Sequence, residues 1–506
     1  MTSNSGRLHL LKINTITSLF YQFTSVAYGL ILPILYLKYY GSEINGLVTS
    51  ISQFLGIIVF LEFGVGAVVQ SALYKPLATF DYTIVKQIME EAKTYFRRIA
   101  YVLIVYVILL LFIYPHIINN VFSFFTTSFL ILATALNLFS QYFFGITNQI
   151  LLISDQKTYI NYGIQIGILF ITGIMSVILI KLGTSIEIVK LITAFTLLFR
   201  PLLLHLYVKK HYSFVSSIYT KTKFLTQKWS GVAHHISYVI VEQTDVIVLT
   251  AFSTLYNVSV YYIYYIVILG IRQLLIYAST GIQSLLGNIF AVEDSDYINN
   301  AFNQIEWIFH AICTSLFTIT GILIIPFVKV YTRNIIDVNY ILPTFAMLMV
   351  TAQYFYSIRQ PYYMLMRAAG HYKQTQISAI IEAIINVLVS IVLVNTLGLV
   401  GVAIGTLSAM IFRTLHLVFY LRKNIVNRPI KFFLKQIFVN ILGVILTIAA
   451  TRNILLTELS YLHWFFLAVK VSLICISILT IINYIFYKKE IVDSLKFIKN
   501  AIQLKT

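Results

Sequence analysis

Residues 382–410 decide the fold class, and they read EAIINVLVSIVLVNTLGLVGVAIGTLSAM. Apolar residues dominate this stretch on both sides of Gly398, and Glu382 is its one charged residue. A helix needs about 20 mostly apolar residues to cross the hydrocarbon core of a bilayer. The stretch therefore predicts two adjoining membrane-spanning helices joined by a very short turn.

The rest of the chain has the same apolar character. Of its 506 residues, 59% are hydrophobic and only 11% are charged, and the mean hydropathy is +0.85. Soluble domains carry about a quarter charged residues, so the composition excludes a soluble enzyme, a nucleic-acid binder and a disordered scaffold. Cys313 and Cys475 both lie in apolar runs, which argues against a disulfide framework or a cysteine metal site. We therefore expect an all-α integral membrane protein.

Apolar runs long enough to span a bilayer recur along the whole chain, and we expect 14 transmembrane helices. The runs cover residues 13–37, 44–70, 99–119, 121–152, 159–181, 186–208, 232–255, 259–288, 305–328, 338–366, 374–396, 398–421, 432–453 and 462–487.

Basic residues predict the orientation of these spans. Lys and Arg total 36 against 18 Asp and Glu, a formal charge of +18. With the N-terminus inside the cell, the inner loops and tails hold 25 of the basic residues and the outer loops hold 6. Cytoplasmic loops are enriched in Lys and Arg. The protein is therefore predicted to be a multi-pass membrane protein with both termini cytoplasmic.

The segments between the spans are short, the longest being 71–98 and 209–231. In the first, Ile84, Ile88 and Ala92 recur at helical spacing among charged residues, which predicts an amphipathic helix on the inner membrane surface. The tail 488–506 has a similar pattern and is predicted to be a cytoplasmic amphipathic helix. No segment outside the spans is long enough for a catalytic domain, so we expect no enzyme and place the activity inside the helix bundle.

The chain contains an internal repeat. Gln141-Tyr142-Phe143 recurs as Gln353-Tyr354-Phe355, an offset of 353 − 141 = 212, and Phe199-Arg200 recurs as Phe412-Arg413, an offset of 213. Six spans separate the two copies, so the halves share an orientation and are expected to be related by a pseudo-twofold axis along the membrane normal. The predicted organisation consists of an N-lobe at 1–208, a linker at 209–231, a C-lobe at 232–423, two extra helices at 424–487, and the tail 488–506.

Four stretches resemble a known family. Residues 382–410 and the preceding 365–373, together with 243–249 and 258–262, are similar to the helices of Wzx-type polysaccharide and O-antigen flippases. These belong to the multidrug/oligosaccharidyl-lipid/polysaccharide (MOP) superfamily, which includes the MATE drug exporters and the lipid II flippases. The resemblance implies two six-helix lobes with two additional helices. It also implies location in the bacterial plasma (inner) membrane and translocation of undecaprenyl-diphosphate-linked oligosaccharides across it for polysaccharide biosynthesis.

The first two spans depart from two of those relatives. Lipid II flippases carry arginines there, whereas this chain has Lys38 at the end of the first span and Glu62 in the second. MATE exporters often use an acid in the first helix, and 13–37 contains none. Both departures weigh against these two activities.

Charged residues within the spans mark a candidate substrate cavity, because a charge at mid-membrane is costly and usually faces a cavity or a partner. His235, Glu242 and Asp245 fall on one side of a helix, and Glu382 shares a face with Asn386. A structural pair between Arg413 and Glu382 is the alternative interpretation for those two residues. The candidate cavity residues are Arg272, Arg359, Glu242, Asp245, Glu62, Glu382, Arg413 and, for sugar stacking, Tyr265.

Arg272 and Arg359 are predicted to contact the diphosphate, because guanidinium binds phosphate oxygens in a bidentate manner. Glu242 and Asp245 are then the predicted counter-charges, and they could take up H⁺ or Na⁺; no other cofactor and no metal are expected. The expected partners are the lipid-linked oligosaccharide, membrane lipids, and a polysaccharide polymerase with its chain-length machinery, without nucleic acid.

Two other functions stay open at this point. An ion-coupled multidrug antiporter would have the same fold but would need a cavity dominated by acids and aromatic rings. A membrane enzyme such as a polysaccharide polymerase or a polyprenyl-dependent glycosyltransferase would need a longer outer loop than the sequence provides.

Overall fold

The computed structural model describes residues 4–119, 121–212, 231–292, 295–426 and 428–503. All regular structure in these ranges is helical. The helices are α1 Asn4–Tyr40, α2 Ser42–Gly56, α3 Val65–Ala78, α4 Tyr82–Ile117, α5 Phe124–Ser140, α6 Ile146–Ser154, α7 Thr158–Lys181, α8 Ile186–His211, α9 Val232–Phe252, α10 Leu255–Val292, α11 Ser295–Tyr331, α12 Pro343–Ile358, α13 Gln360–Ala368, α14 Tyr372–Leu397, α15 Leu399–Asn424, α16 Lys431–Thr451 and α17 Tyr461–Gln503. A 3₁₀ turn at Ile57–Glu62 and a π-helical turn at Gln141–Gly145 complete them.

The fold class expected from the sequence is confirmed. Within the described ranges, 12 helical segments are long and apolar enough to cross a membrane, so the chain is a multi-pass membrane protein. The other two predicted spans correspond to α9, which carries Glu242 and Asp245, and to α12, which is only 16 residues long. The count of 14 spans is consistent with this arrangement. The orientation in the membrane stays a prediction.

Three predicted spans are broken helices rather than continuous ones. The second is divided between α2, the 3₁₀ turn and α3, and the break falls at Phe63 and Gly64, whose φ angles are 46° and 72°. The fourth is divided by the π-helical turn. The tenth is divided between α12 and α13 at Arg359. Breaks of this kind place polar backbone and side chains inside a helix bundle.

The surface helix predicted within 71–98 is not a separate element of the structure. Residues 84–92 are helical, but they belong to the continuous 36-residue helix α4. Ile88 and Ala92 are fully buried and pack into the hydrophobic core of the first unit. A helix with one apolar face can lie on a membrane surface or pack against a protein core. Here the apolar face packs against the core.

The chain forms two compact units, Met1–Ser259 and Val260–Thr506. Helix α9, which the predicted boundary assigns to the second lobe, packs on α2 in the first unit. The start of α10 also lies close to α2, because a Cβ atom added at Gly46 would lie 2.7 Å from the carbonyl carbon of Leu255. A buried hydrogen bond from Asn45 Nδ2 to Ser259 Oγ (2.8 Å) lies beside it.

The helix boundaries repeat along the chain, which supports the internal repeat. Helices α2 and α10 begin at 42 and 255, an offset of 255 − 42 = 213, and α8 and α15 begin at 186 and 399, again 213. Helices α6 and α13 begin at 146 and 360, an offset of 214, and each has nine residues after a break in the preceding helix. The pseudo-twofold relation between the halves stays a prediction.

Helices α16 and α17 follow the second repeat and pack against α11. The Trp307 indole N–H of α11 donates to Asn483 Oδ1 of α17 at 3.0 Å, and Gly443 allows α16 to approach Leu479. Helix α17 bends at Tyr487, where φ is −136°. The amphipathic pattern predicted beyond this bend, and most of the predicted linker at 209–231, lie outside the residues whose side chains are described.

Candidate substrate site

Arg359 lies in the break between α12 and α13. The break follows from the sequence, because Pro361 has no backbone N–H and its ring opposes the carbonyl four residues earlier. Arg359 has φ −77° and ψ −11°, and its carbonyl accepts the Tyr363 N–H at 3.0 Å to start α13. The interruption turns a long side chain into the interior of the second unit, where Arg359 is 8% exposed.

Five buried or half-buried residues form what we call the arginine cluster: Arg272, Tyr356, Arg359, Glu382 and Arg413. Arg359 Nη1 lies 2.5 Å from Glu382 Oε1, and Arg413 Nε lies 3.5 Å from Glu382 Oε2. The guanidinium groups of Arg359 and Arg272 lie over the Tyr356 ring, 4.4 Å and 4.7 Å from its centroid. The cluster therefore concentrates three guanidinium groups within the spans of one unit.

Each arginine of the cluster also has polar partners. Arg272 Nη1 donates to Gln353 Oε1 at 3.1 Å. Arg413 Nη1 donates to the Thr375 carbonyl at 3.1 Å and to the Ser378 hydroxyl. Because a buried guanidinium has five donors to satisfy, these bonds orient the side chains and lower the cost of burial.

Close packing of α14 on α15 brings Glu382 and Arg413 together. A Cβ atom added at Gly401 would lie 2.6 Å from the carbonyl carbon of Leu393, and one at Gly405 would lie 2.8 Å from the Ser390 amide nitrogen. Small residues permit this approach of two membrane helices. The structure thus shows close helix packing at Gly401 and Gly405.

The structure shows two charge pairs at Glu382. The Arg413–Glu382 contact, the alternative structural interpretation, is present. Arg359 also pairs with Glu382, and the role of Glu242 and Asp245 as counter-charges stays a prediction. Asn386, on the same face as Glu382, donates to Thr406 Oγ1 at 3.1 Å. Glu382 is therefore the carboxylate that Arg359 and Arg413 share in this conformation.

The first unit holds the acidic candidates. Glu62 lies at the end of the 3₁₀ turn, and Tyr142 Oη of the π-helical turn donates to its Oε1 at 2.7 Å. His235 Nε2 of α9 lies 2.9 Å from the Val59 carbonyl in the same turn. Asp245 is buried on α9 at 2% exposure, and Glu242 is half-buried one turn earlier. Both helix breaks of the first unit thus meet at Glu62.

Tyr265 stays a predicted sugar contact. It lies on α10, and its ring stacks on that of Tyr261 with centroids 5.5 Å apart. The phenol of Tyr264 points elsewhere and donates to the Tyr340 carbonyl at 2.6 Å.

Sequence reasoning missed a second buried charge cluster. Glu306 of α11 is fully buried and accepts from Tyr362 and from Arg428, the latter lying just before α16. Burial opposes the charge of Arg428, but the Glu306 carboxylate outweighs it and raises the pKa of Arg428 above its ordinary value. Arg428 counts as a loop cation in the sequence, and no local pattern links it to an acid 122 positions earlier.

No group of three His, Cys, Asp or Glu side chains in the described ranges has the geometry of a metal site. The fold and the site together define a multi-pass membrane protein with a repeated helical unit, acidic groups in the first unit and a buried arginine cluster in the second.

Comparisons with known proteins identify the fold. No family model and no curated protein matches the chain. Among solved structures, it is similar to the lipid II flippase MurJ in an inward closed conformation, with a TM-score of 0.66 and 18% identity over 94% of this chain and 99% of that chain. It is also similar to an inward-facing multidrug resistance MATE family transporter of the MOP superfamily, with a TM-score of 0.60 and 13% identity over 80% of this chain and 95% of that one.

A third similar structure is the MATE multidrug transporter DinF-BH in complex with R6G, with a TM-score of 0.52 and 14% identity over 83% of this chain and 97% of that chain. At these identities the likeness shows the fold. The expected fold, similar to that of MurJ and of the MATE transporters, is thereby confirmed.

Proposed function

We propose that this protein is a flippase that moves undecaprenyl-diphosphate-linked oligosaccharides from the inner to the outer leaflet of the bacterial plasma membrane. It would act by alternating access in cell-surface polysaccharide biosynthesis. The arginine cluster is the observation that carries the proposal.

The chemistry of the cluster suits a diphosphate. Arg272 and Arg359 both lie over the Tyr356 ring, and guanidinium forms bidentate, charge-assisted bonds with phosphate oxygens. Arg359 and Arg413 share the single carboxylate of Glu382. A diphosphate can therefore exchange with Glu382 without leaving a guanidinium buried and unpaired, which would be costly.

This exchange would couple binding to a conformational change. Arg359 and Arg272 are almost completely buried in this structure, at 8% and 2% exposure. A ligand shifts an equilibrium between two states only by its difference in affinity for them. Substrate would thus favour a state in which the cluster is open, and re-formation of the Arg359–Glu382 pair would accompany release.

An ion-coupled multidrug antiporter is the second candidate, and the acids of the first unit favour it. Glu62, held by Tyr142, and the buried Asp245 are groups that could bind H⁺ or Na⁺. The two candidates differ in the sign of the substrate, because a cationic drug would be repelled by the arginine cluster. Under the flippase proposal, the same acids would take up the coupling ion and reset the transporter.

The test uses purified protein in proteoliposomes that contain a fluorescent undecaprenyl-diphosphate oligosaccharide. Translocation is measured as the fraction of sugar that becomes accessible to a membrane-impermeant oxidant. Arg272→Ala and Arg359→Ala should each abolish translocation, and Arg359→Lys should restore it only in part because lysine cannot bind two oxygens in a plane. The control is Arg452→Ala, since Arg452 is exposed at the end of α16 and lies outside the cluster.

A parallel assay distinguishes the second candidate. The same vesicles are loaded with a cationic dye, and a H⁺ or Na⁺ gradient is imposed. Dye transport that Glu62→Gln abolishes, without any oligosaccharide translocation, would establish the antiporter instead. Normal lipid translocation by both alanine variants at matched amounts of protein would show that the arginines are structural.

A further inference from the structure

The first unit contains a large groove with basic walls, which we call the basic groove. It has a volume of about 710 Å³ and lies between α4, the π-helical turn with α6, and α8. Lys86, Lys93, Arg97 and Lys209 line it, with Glu90 as the one acid. Its formal charge is therefore 4 − 1 = +3. This end of the unit is the one that the distribution of Lys and Arg assigns to the cytoplasm.

Arg97 has a hydrogen-bond donor in the basic groove that a ligand could satisfy. Its guanidinium lies 4.6 Å from the centroid of the Phe143 ring, and its Nε atom is buried without a hydrogen-bond partner. An unsatisfied buried donor is unusual, because it has lost its hydrogen bonds to water without replacing them. Lys93 is only loosely paired, with Nζ 3.4 Å from Glu90 Oε1. The groove thus offers donors that an anion can satisfy.

The second unit has the repeat-related groove, and it is filled. Phe302, Tyr362 and Leu421 line it and follow Met89, Asn148 and Val208 of the basic groove by 213, 214 and 213 residues, since 302 − 89 = 213, 362 − 148 = 214 and 421 − 208 = 213. Its free volume is only about 10 Å³.

Arg428, just before α16, and Phe433, in the first turn of α16, fill this second groove. Arg428 lies over the Phe302 ring at 5.1 Å and binds Glu306, and Phe433 contacts the Tyr362 ring with centroids 6.2 Å apart. The groove therefore holds a cation and an apolar ring from nearby positions of the chain.

The charge at one repeat-related position is inverted. Glu306 stands 213 residues after Lys93, since 306 − 93 = 213. In the second unit this acid binds the cationic Arg428, and the apolar Phe433 lies in the same groove. By the same complementarity, the basic groove, with Lys93 at that position, fits an anion that carries an apolar group.

An apolar groove continues from the basic groove along the same helices. It has a volume of about 460 Å³, and all of its lining residues are apolar, among them Leu103, Ile104, Leu132 and Phe139. Phe139 stacks on Phe143 of the basic groove with ring centroids 5.4 Å apart. Leu103 follows Arg97 by six residues, about 9 Å along α4. The positively charged basic groove and the apolar groove thus lie one after the other along α4.

We propose that this pair of grooves binds one anionic membrane phospholipid, with the phosphate in the basic groove and an acyl chain in the apolar groove. The inference does not depend on the transported substrate. Lining residues of both grooves are half exposed, including Leu202 at 49%, Phe144 at 51% and Leu132 at 51%. Large apolar side chains exposed on spanning helices face the lipid, so the occupant can enter from the bilayer.

The test is native mass spectrometry of the detergent-purified protein. The probes are phosphatidylglycerol and phosphatidylcholine with identical acyl chains, undecaprenyl phosphate, and inorganic phosphate. Phosphatidylglycerol should bind with the highest affinity. Lys93→Gln and Arg97→Gln should each weaken it about five-fold, since a basic residue near an anionic lipid contributes about 1 kcal/mol. Arg98→Gln is the matched control, because Arg98 is exposed on α4 and does not line the groove.

A second variant tests the acyl-chain end. Leu132→Trp should narrow the apolar groove and weaken phosphatidylglycerol at least as much as Arg97→Gln does, while the charges stay in place. Equal affinity for phosphatidylcholine, an equal effect of Arg98→Gln, or no effect of Leu132→Trp would overturn the proposal. So would tighter binding of undecaprenyl phosphate or of inorganic phosphate than of phosphatidylglycerol.

Discussion

Glu382→Gln is the substitution that tests the arginine cluster as a structural unit. The change preserves the shape of the side chain and removes the charge shared by Arg359 at 2.5 Å and Arg413 at 3.5 Å. The exposed fractions of the Arg359 and Glu382 side chains are 10% and 8%. Removing one partner of a buried ion pair costs about 3–5 kcal/mol. Arg413 keeps its bonds to Thr375 and Ser378, so we assign most of this loss to Arg359.

Two native cysteines make this loss measurable. The chain has only Cys313 and Cys475, and both are fully buried. A thiol-reactive fluorophore therefore reports thermal unfolding in detergent without a folded-state background. We expect Glu382→Gln to lower the unfolding temperature by several degrees, and Arg359→Met added to it to restore part of the loss.

The control for this experiment is Glu458→Gln. Glu458 is 69% exposed, and its Oε2 lies 3.4 Å from His463 Nδ1. An exposed ion pair contributes less than about 1 kcal/mol to stability. This variant should therefore unfold at the same temperature as the wild type. The reasoning fails if Glu382→Gln is as stable as Glu458→Gln, or if the double variant is less stable than the single one.

Two further predictions concern topology and packing. In a cysteine-free background, a cysteine at Asn334 should react with an impermeant reagent added outside the cell and one at Thr222 should not; the reverse labelling would invert the orientation. Gly46→Ala should destabilise the first unit by about 1–3 kcal/mol through overpacking against Leu255, whereas Gly66→Ala, whose nearest neighbour would be 3.7 Å away, should have little effect. Equal unfolding temperatures for the two variants would contradict the close contact of α2 with the start of α10.

The sequence was sufficient to predict the class of fold and the positions of the helices. Apolar segments long enough to cross a bilayer form α-helices there, since the helix satisfies every backbone polar group within the segment. The offset of 213 between Arg200 and Arg413 also reappears in the helix boundaries. The surface helix at 84–92 was wrong because periodicity shows that a helix has an apolar face but not what covers that face.

The site was predicted less completely. Arg272, Arg359, Glu382 and Arg413 do come together, because charges within spans collect away from lipid. Their pairing depends on the break at Arg359, which Pro361 signalled in the sequence but which was read as part of a continuous span. The Glu306–Arg428 pair had no such signal, because it depends on how the segment before α16 crosses the second unit.

The single residue between α14 and α15 has a consequence for how the chain is made. Gly398, with φ 54°, is all that separates two helices of 26 residues each. Glu382 leaves the ribosome before Arg413, and alone it would oppose transfer of α14 into lipid. With so short a turn, the two helices are expected to leave the translocon as one hairpin whose acid and base neutralise each other. Lengthening the turn at Gly398 should then expose α14 as a separate, poorly inserting segment during biogenesis.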